Sequence, residues 1–416
     1  MKKILFLGAA QFQIPPIEYA LSKGYYVITC DNRVENPGHK LSNKYYNVST
    51  LEKDEILKIA LAENIDGILT FGSDVSAPTM AYVAEKMGLP GNSYKTVSLL
   101  VNKKLFREHL NKNNLQKTQF KIFSESERSL IGSYLKDIEL PVVIKPIDSA
   151  GSKGVSILSN ISDLDRFVDY AFSESFSRTI IIESWIKKLN KQVSGDGFMQ
   201  NDKLEFIEFG DGHFYDDGKF LAPFAETFPS THIVEHLNKI KIKLEKILVS
   251  CGFLCGPFNF DVLVAESGEP FVVEIGPRSG GNYIPKAISL KTKVDMIGGA
   301  VECSLDRSFK LDVKKSESEK FYACYMIHSK SEGILDKISF DEDIEANIVE
   351  YNPYIKLGAN VKPFYKASEA IGNLILVFNS HQEMLEKISK MSNYCRVELK
   401  QSLTKKHKSN FIGTVS

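Results

Sequence analysis

The chain has 416 residues, 52 basic and 52 acidic side chains, and a hydrophobic fraction of 43%. At ~100–200 residues per domain this length predicts roughly two to four domains, and 26 Phe and 17 Tyr supply enough apolar surface to exclude a disordered chain. The balanced charge argues against a surface built for nucleic acid or anionic lipid, both of which require a basic excess.

The six cysteines (Cys30, Cys251, Cys255, Cys303, Cys324, Cys395) are too scattered for a disulfide framework or a zinc site, and read as reduced thiols of a cytoplasmic protein. No apolar run reaches ~18 residues, so no membrane-spanning helix is expected. Met1-Lys2-Lys3 followed by Ile4–Ala10 has the outline of a short signal peptide, but the helix and strand patterns that follow at once suit a first β-strand better.

Residues 1–95 alternate strand and helix: strand Lys3–Gly8, helix Pro15–Lys23, strand Tyr26–Cys30, helix Leu51–Glu63, strand Asp66–Phe71, helix Ala77–Met87. This order predicts a parallel sheet covered on both faces, with any ligand at the carboxyl ends of the strands. The first turn, Gly8-Ala9-Ala10-Gln11, is not GxGxxG, so the unit is read as a wall of a site and not as a dinucleotide domain. One helix is expected over Val97–Asn111, a small strand-and-helix segment over 118–190, and a long amphipathic helix over Ile233–Ser250. A polar linker at Lys314–Lys320 precedes short strands, a helix Gln382–Met391 and a strand Cys395–Leu399, and the basic cluster Lys405, Lys406, His407, Lys408 reads as a solvated tail.

Three segments carry chemistry. In Val142–Pro146 an apolar strand delivers Lys145 to a small, flexible loop, Ser149-Ala150-Gly151-Ser152-Lys153-Gly154, whose backbone N–H groups can approach a phosphate closely. It is not a P-loop, and taken alone such a hairpin is equally an ordinary turn. In Ile180–Ile186 an apolar strand ends in Glu183 with Trp185 and Ile186 following, an arrangement able to hold a purine or simply to end a strand, and Gln192 and Asp196 come next.

The third segment is the most informative. Asn259-Phe260-Asp261 and Glu274-Ile275-Gly276 flank a hairpin, and a two-residue turn at Ser267-Gly268 would set Glu266 against Glu269, Asp261 against Glu274 and Asn259 against Gly276. Directly opposed side chains have Cβ atoms about 4.5–5.5 Å apart, and two carboxylates there repel by roughly 3 kcal/mol at an effective dielectric near 20. A cation or a shared proton would relieve this, and oxygen ligands beside phosphates suit Mg²⁺ or Mn²⁺. The alternative is a solvated acidic face. Arg278, just beyond, is placed to meet a phosphoryl oxygen.

Taken in order, these segments resemble the ATP-grasp superfamily, and the resemblance covers most of the chain. It implies an α/β and α+β architecture: an N-terminal parallel-sheet domain (1–95), a central ATP-grasp domain (96–310) with a lid subdomain at about 118–190, and a C-terminal α+β domain (311–416). Asn102-Lys103-Lys104-Leu105-Phe106-Arg107 is similar to the family's Asp-Lys-x-x-x-Arg helix, with Asn in first place. By that match Lys103 and Lys145 contact the phosphates of ATP, and the loop containing Ser149, Gly151, Ser152 and Gly154 covers them. Glu183, Trp185 and Ile186 line the adenine pocket, and Gln192 stands where a ribose-binding Glu is usual. Asp261 and Glu274 match the magnesium ligands, and Arg278 matches the arginine that steadies the transferred phosphoryl group. The family commonly has Asn where Gly276 stands here, and Asn259, across the hairpin, is the expected substitute ligand.

Residues 321–399, through Gly333-Ile334-Leu335, Gly358-Ala359-Asn360-Val361 and Ile371-Gly372-Asn373, look most like ATP-dependent amino-acid or dipeptide ligases. The resemblance therefore implies a carboxylate–amine ligase acting through an acyl phosphate. Its partners are a small carboxylate and a small amine, with no nucleic acid or membrane, and a homodimer is allowed. The other readings are activation of bicarbonate or formate, and a non-catalytic nucleotide-binding subunit. Gly210–Ser230, with His213, Phe214, Tyr215, Asp216 and Asp217, is expected to border the acceptor site.

Overall fold

The computed structural model describes residues 1–215, 221–313 and 318–400. The expectations for Asp216, Asp217, positions 314–317 and the basic tail lie outside the described residues.

The N-terminal sheet has the expected parallel order: Lys44–Tyr46, Tyr26–Cys30, Lys3–Leu7, Gly67–Thr70. Alternation along its central strand buries Leu5 and Leu7 against Ile56, Ile59 and Val83 on one face. Ile4 and Phe6 face the other way, against Ile17, Ala20, Ala300 and Val301. The last two residues belong to helix Met296–Cys303, so the second face is closed by a distant part of the chain. The boundary at residue 95 is therefore not the boundary of this core.

The helix expected over Val97–Asn111 is two helices, Tyr94–Val101 and Lys103–Lys112. The break is at Asn102, whose backbone is extended and whose Oδ1 accepts from Leu105 N at 3.1 Å. Asn102 thus does the N-capping that Asp does elsewhere, and the cap aims Lys103 at the start of the second helix.

The lid is a four-stranded antiparallel sheet, Phe120–Ser124, Thr179–Ser184, Val142–Pro146, Ser156–Leu158, backed by Val168, Ala171 and Phe172 of helix Leu164–Ser173. The body is one antiparallel sheet of eight strands, in the order Pro270–Gly276, Gly256–Val264, Gln192–Gln200, Lys203–His213, Ala225–Phe228, Phe321–Ile327, Gly372–Phe378, Ile348–Pro353. The last three strands come from the segment expected to be a separate C-terminal domain, so residues beyond 311 continue the body sheet. One face of the hairpin formed by Gly256–Val264 and Pro270–Gly276 packs Phe258, Phe260, Val262 and Ile275 against Ile240, Leu244, Ile247 and Leu248 of helix Val234–Cys251. The alternate residues Asn259 and Asp261 are left on the opposite face, toward the lid. No described helix is long and apolar enough to cross a membrane.

Replacing the shared cap, Asn102→Ala, should cost about 1 kcal/mol in urea unfolding, while Asn102→Asp should be near neutral.

Candidate active site

The metal hairpin reaches the expected register by an unexpected route. The turn is three residues long: Ala265 N donates to Glu269 O at 2.9 Å and Gly268 takes φ +79°. Glu266 therefore does not oppose Glu269, and Val262 faces Val272. A bulge at Val273 then restores the count, so that Asp261 faces Glu274 and Asn259 faces Gly276. Pro270–Gly276 is the edge strand of the sheet, and two buried side chains take up its outward-facing backbone groups. Gln116 accepts from Val272 N at 2.7 Å and donates to Val272 O at 3.0 Å. Arg107 donates to Val272 O at 3.3 Å and to Val273 O at 2.9 Å.

Arg107 is 1% exposed and also grips Glu183 at 2.8 Å, while Lys145 bonds the other oxygen of the same carboxylate. Glu183 was expected to line an adenine pocket; its carboxylate instead lies inside this three-residue cluster. Burial opposes its charge, but Arg107 and then Lys145 outweigh that and hold it down at about 2. Burial lowers Lys145 to about 8, against the pull of Glu183. Lys145, expected at the phosphates, is thus held by Glu183 under the lid loop. Trp185 and Ile186 follow directly, half-buried, where lid joins body.

Lys103 ties the loop to the hairpin, donating to Ser149 O at 2.6 Å and lying 3.8 Å from Glu274. The base of the loop is pinned by Asp148, which accepts from Ser175 Oγ, Phe176 N and Ser177 N at 2.7–3.2 Å. Gly151, Ser152 and Gly154 all have positive φ, the conformation that small residues tolerate best. Ser152 Oγ reaches Leu221 O at 2.9 Å.

Gln192, expected at a ribose, donates to Asp261 Oδ1 at 2.8 Å. Asn259 Nδ2 donates to Gly195 O and Asp196 Oδ1, both at 2.9 Å, so its amide nitrogen serves Asp196. Gly280 N donates to the other oxygen of Asp196 at 2.8 Å. Burial nevertheless raises Asp196 to about 6. His213 pairs with Ala225 one position away from Glu226, so it faces the side of the sheet opposite Asp261 and bonds Thr227 Oγ1 at 2.9 Å.

Arg278 is 8% exposed and forms an ion pair with Asp74, at the carboxyl end of strand Gly67–Thr70. This pair explains Gly276. A Cβ there would lie 2.5 Å from Asp74 Oδ1 and 3.0 Å from the guanidinium carbon of Arg278, so a side chain there would have to displace this pair. Gly72 packs as tightly, with an ideal Cβ 3.0 Å from Gly281 Cα. The N-terminal domain thus docks on the arginine loop.

The donor set fits a hard divalent cation. No cluster of three or more His, Cys, Asp or Glu suited to a metal occurs among the described residues. Two carboxylates are what Mg²⁺ usually takes from protein when phosphates and water complete its shell. Burial first, then the facing Glu274, raise Asp261 to about 8. Four residues that motif reading left without a role belong to this site: Asp74, Arg107, Asp196 and Glu226. Only Arg107 had a signal, the Lys-x-x-x-Arg spacing.

Residues 109–282 match the family model "D-ala D-ala ligase C-terminus". The L-amino acid ligase of Bacillus licheniformis superposes with a TM-score of 0.83 at 18% identity, covering 96% of this chain and 99% of that one. Over the matched residues the chain is similar to ATP-grasp ligases. The biotin carboxylase domain of a Hydrogenobacter thermophilus 2-oxoglutarate carboxylase, solved with MgADP, ADP and bicarbonate, superposes with a TM-score of 0.74 at 16% identity over 96% and 91% of the two chains. In sequence, the carbamoyl phosphate synthase large chain of Pseudothermotoga lettingae is 26% identical over 281 residues, 64% of this chain and 24% of the synthase. The chain spans 54% and 62% of two further curated relatives, an uncharacterized protein of Sinorhizobium fredii and a D-alanine–D-alanine ligase of Geotalea uraniireducens.

Two outcomes follow from these charges. Arg107→Ala leaves Glu183 with Lys145 alone and strips donors from the bulge carbonyls; it should cost about 3–5 kcal/mol in urea unfolding. Asp261 has a folded value of about 8 against an ordinary 3.8, so the metal-free fold binds the extra proton between these values and loses stability as pH rises through them. A cation takes the proton's place, so the rise in melting temperature on adding Mg²⁺ should grow from about pH 6 to about pH 8.5, and Asp261→Asn should abolish that growth.

Proposed function

We propose that this protein is an ATP-dependent carboxylate–amine ligase. The observation that carries the reading is the pairing of Asp261 with Glu274 beside Lys103 and Arg278, under a glycine-rich lid loop. A substrate carboxylate oxygen attacks the γ-phosphorus of ATP, forming an acyl phosphate and releasing ADP. The nitrogen of an amine then attacks the acyl carbon, loses a proton and expels phosphate, leaving an amide.

The residues contribute position and charge, as phosphoryl transfer requires. Asp261 and Glu274 would hold Mg²⁺, which supplies charge neutralisation at the phosphates. Lys103 and Arg278 offset phosphate charge from two sides. Lys145, held by Glu183, adds positive potential beneath the loop. Trp185 and Ile186 offer an apolar wall to adenine. The Ser149–Gly154 loop shields the acyl phosphate from water.

The relation to a carbamoyl phosphate synthase and to a biotin carboxylase supports a second reading, activation of bicarbonate. Phosphate release measured over pairs of acids and amines, with mass analysis of products, separates the two. The ligase reading expects release that requires both an organic acid and an amine, and an about 100-fold or greater loss in Asp261→Asn and Glu274→Gln. Release that needs bicarbonate alone would favour the second reading. ATP binding without turnover across the panel would leave a nucleotide-binding subunit.

A further inference from the structure

Two of the cysteines stand apart from the others. Cys30, Cys251, Cys324 and Cys395 are buried, whereas Cys255 and Cys303 are half-buried and their thiols share a hydrogen bond. The two come from distant parts of the chain. Cys255 follows helix Val234–Cys251 and leads directly into strand Gly256–Val264, which carries Asn259 and Asp261. Cys303 ends helix Met296–Cys303, whose Ala300 and Val301 close the second face of the N-terminal sheet. An ideal Cβ on Gly256 would lie 3.9 Å from Cys303 Sγ. The proposed ligase chemistry uses neither thiol.

The surroundings hold the pair and make its members unequal. Asn92 clamps the backbone at Cys255: its Nδ2 donates to Cys255 O at 2.6 Å, and its Oδ1 accepts from Leu254 N at 2.8 Å and Cys255 N at 3.4 Å. Arg307, tied to Gly88 O at 3.2 Å and Leu89 O at 2.7 Å, adds positive potential. The hydrogen bond from Cys303 and then Arg307 hold the Cys255 thiol down at about 7, against burial and the charge of Asp202. The same bond, then burial and the charge of Asp306, push the Cys303 thiol up. The carboxyl end of a helix also disfavours an anion at Cys303. A thiolate beside a protonated thiol is the arrangement of a nucleophile and its resolving partner. Both line a cavity of about 50 Å³ shared with Thr70, Met80 and Arg278, room enough for an oxidant little larger than water.

We propose that Cys255 and Cys303 are a reversible redox pair, in which hydrogen peroxide oxidises Cys255 and Cys303 resolves it to a disulfide. The Cys255 thiolate attacks one peroxide oxygen; the O–O bond breaks, and the departing hydroxide takes up a proton to leave as water. Cys255 is then a sulfenic acid. Cys303 Sγ attacks its sulfur, the S–S bond forms, the S–O bond breaks, and the hydroxyl leaves with the Cys303 proton as a second water. Two thiols lose two electrons and the peroxide gains them. The bond fastens the root of the strand bearing Asp261 to the helix that closes the N-terminal sheet, and the closed loop contains Asp261, Glu274 and Arg278. None of this depends on the ligase reading.

The test uses the full chain, reduced, then treated with hydrogen peroxide and afterwards with dithiothreitol. Non-reducing peptide mapping should find one disulfide, within one chain, between Cys255 and Cys303, and dithiothreitol should restore all six thiols. The oxidised chain should melt about 2–5 °C higher, because the cross-link constrains the unfolded state. In Cys303→Ser the sulfenic acid should persist at Cys255 and be trapped by dimedone about tenfold more than at any other cysteine. In Cys255→Ser, Cys303 should stay unmodified. If either variant does not fold, the mapping of the unsubstituted chain decides.

Six free thiols after peroxide, a disulfide through any other cysteine or between two chains, trapping at Cys303 in place of Cys255, or a cross-link that leaves the melting temperature unchanged would each overturn the proposal.

Discussion

The ion cluster of Arg107, Glu183 and Lys145 is the interaction on which the rest of the site depends. It joins the helix after Asn102, two strands of the lid and, through Arg107, the bulged strand of the metal hairpin. Three charges buried together are tolerated only when nearly every lone pair and proton is used. Arg107 meets that condition by spending its remaining N–H groups on carbonyls of the bulged edge strand. Charge neutralisation and backbone satisfaction are therefore solved by one side chain, and the lid is joined to the body where its strands meet the metal hairpin.

The bulge has a second consequence. Without it, the three-residue turn would keep the register of Val262 with Val272, and Asp261 would face Val273 in place of Glu274. The carboxylate pair exists because an extra residue in one strand offsets an extra residue in the turn. On the same face, Asp196, Asp261 and Glu226 all sit in surroundings that disfavour their charge. A sheet face of this kind stores unfavourable desolvation that bound cations relieve, and a protein keeps it at a cost to its own stability. Asp74 extends the arrangement into the N-terminal domain, and Gly276 is the room it requires.

Much of this was legible in the chain. Helix Ala77–Met87 and the parallel N-terminal strands follow from hydrophobic period and punctuation, which are local. Lys103, Ser149, Asp261, Glu274 and Arg278 stand in motifs that a short count can find, and the structure gathers them. Asn102 was read as the first place of a motif and not as a helix break, because helical pattern continues through it and the break is an electrostatic event at one cap. His213 was expected to border an acceptor site; strand alternation puts its ring on the face opposite Asp261.

By itself, then, the sequence determined the order of elements and the lysine-bearing loop, since these depend on neighbours in the chain, whereas the two acids face each other only because the bulge at Val273 offsets the longer turn. Tertiary structure alone decided the partners of the buried charges. Arg107 and Glu183 are 76 positions apart and Arg278 and Asp74 are 204 apart, and no local pattern encodes which distant carboxylate will neutralise a buried guanidinium. It also decided that strands beyond residue 321 would finish the body sheet and set Asn373 on the same face as Glu226, because strand pairing is selected by the packing of whole faces.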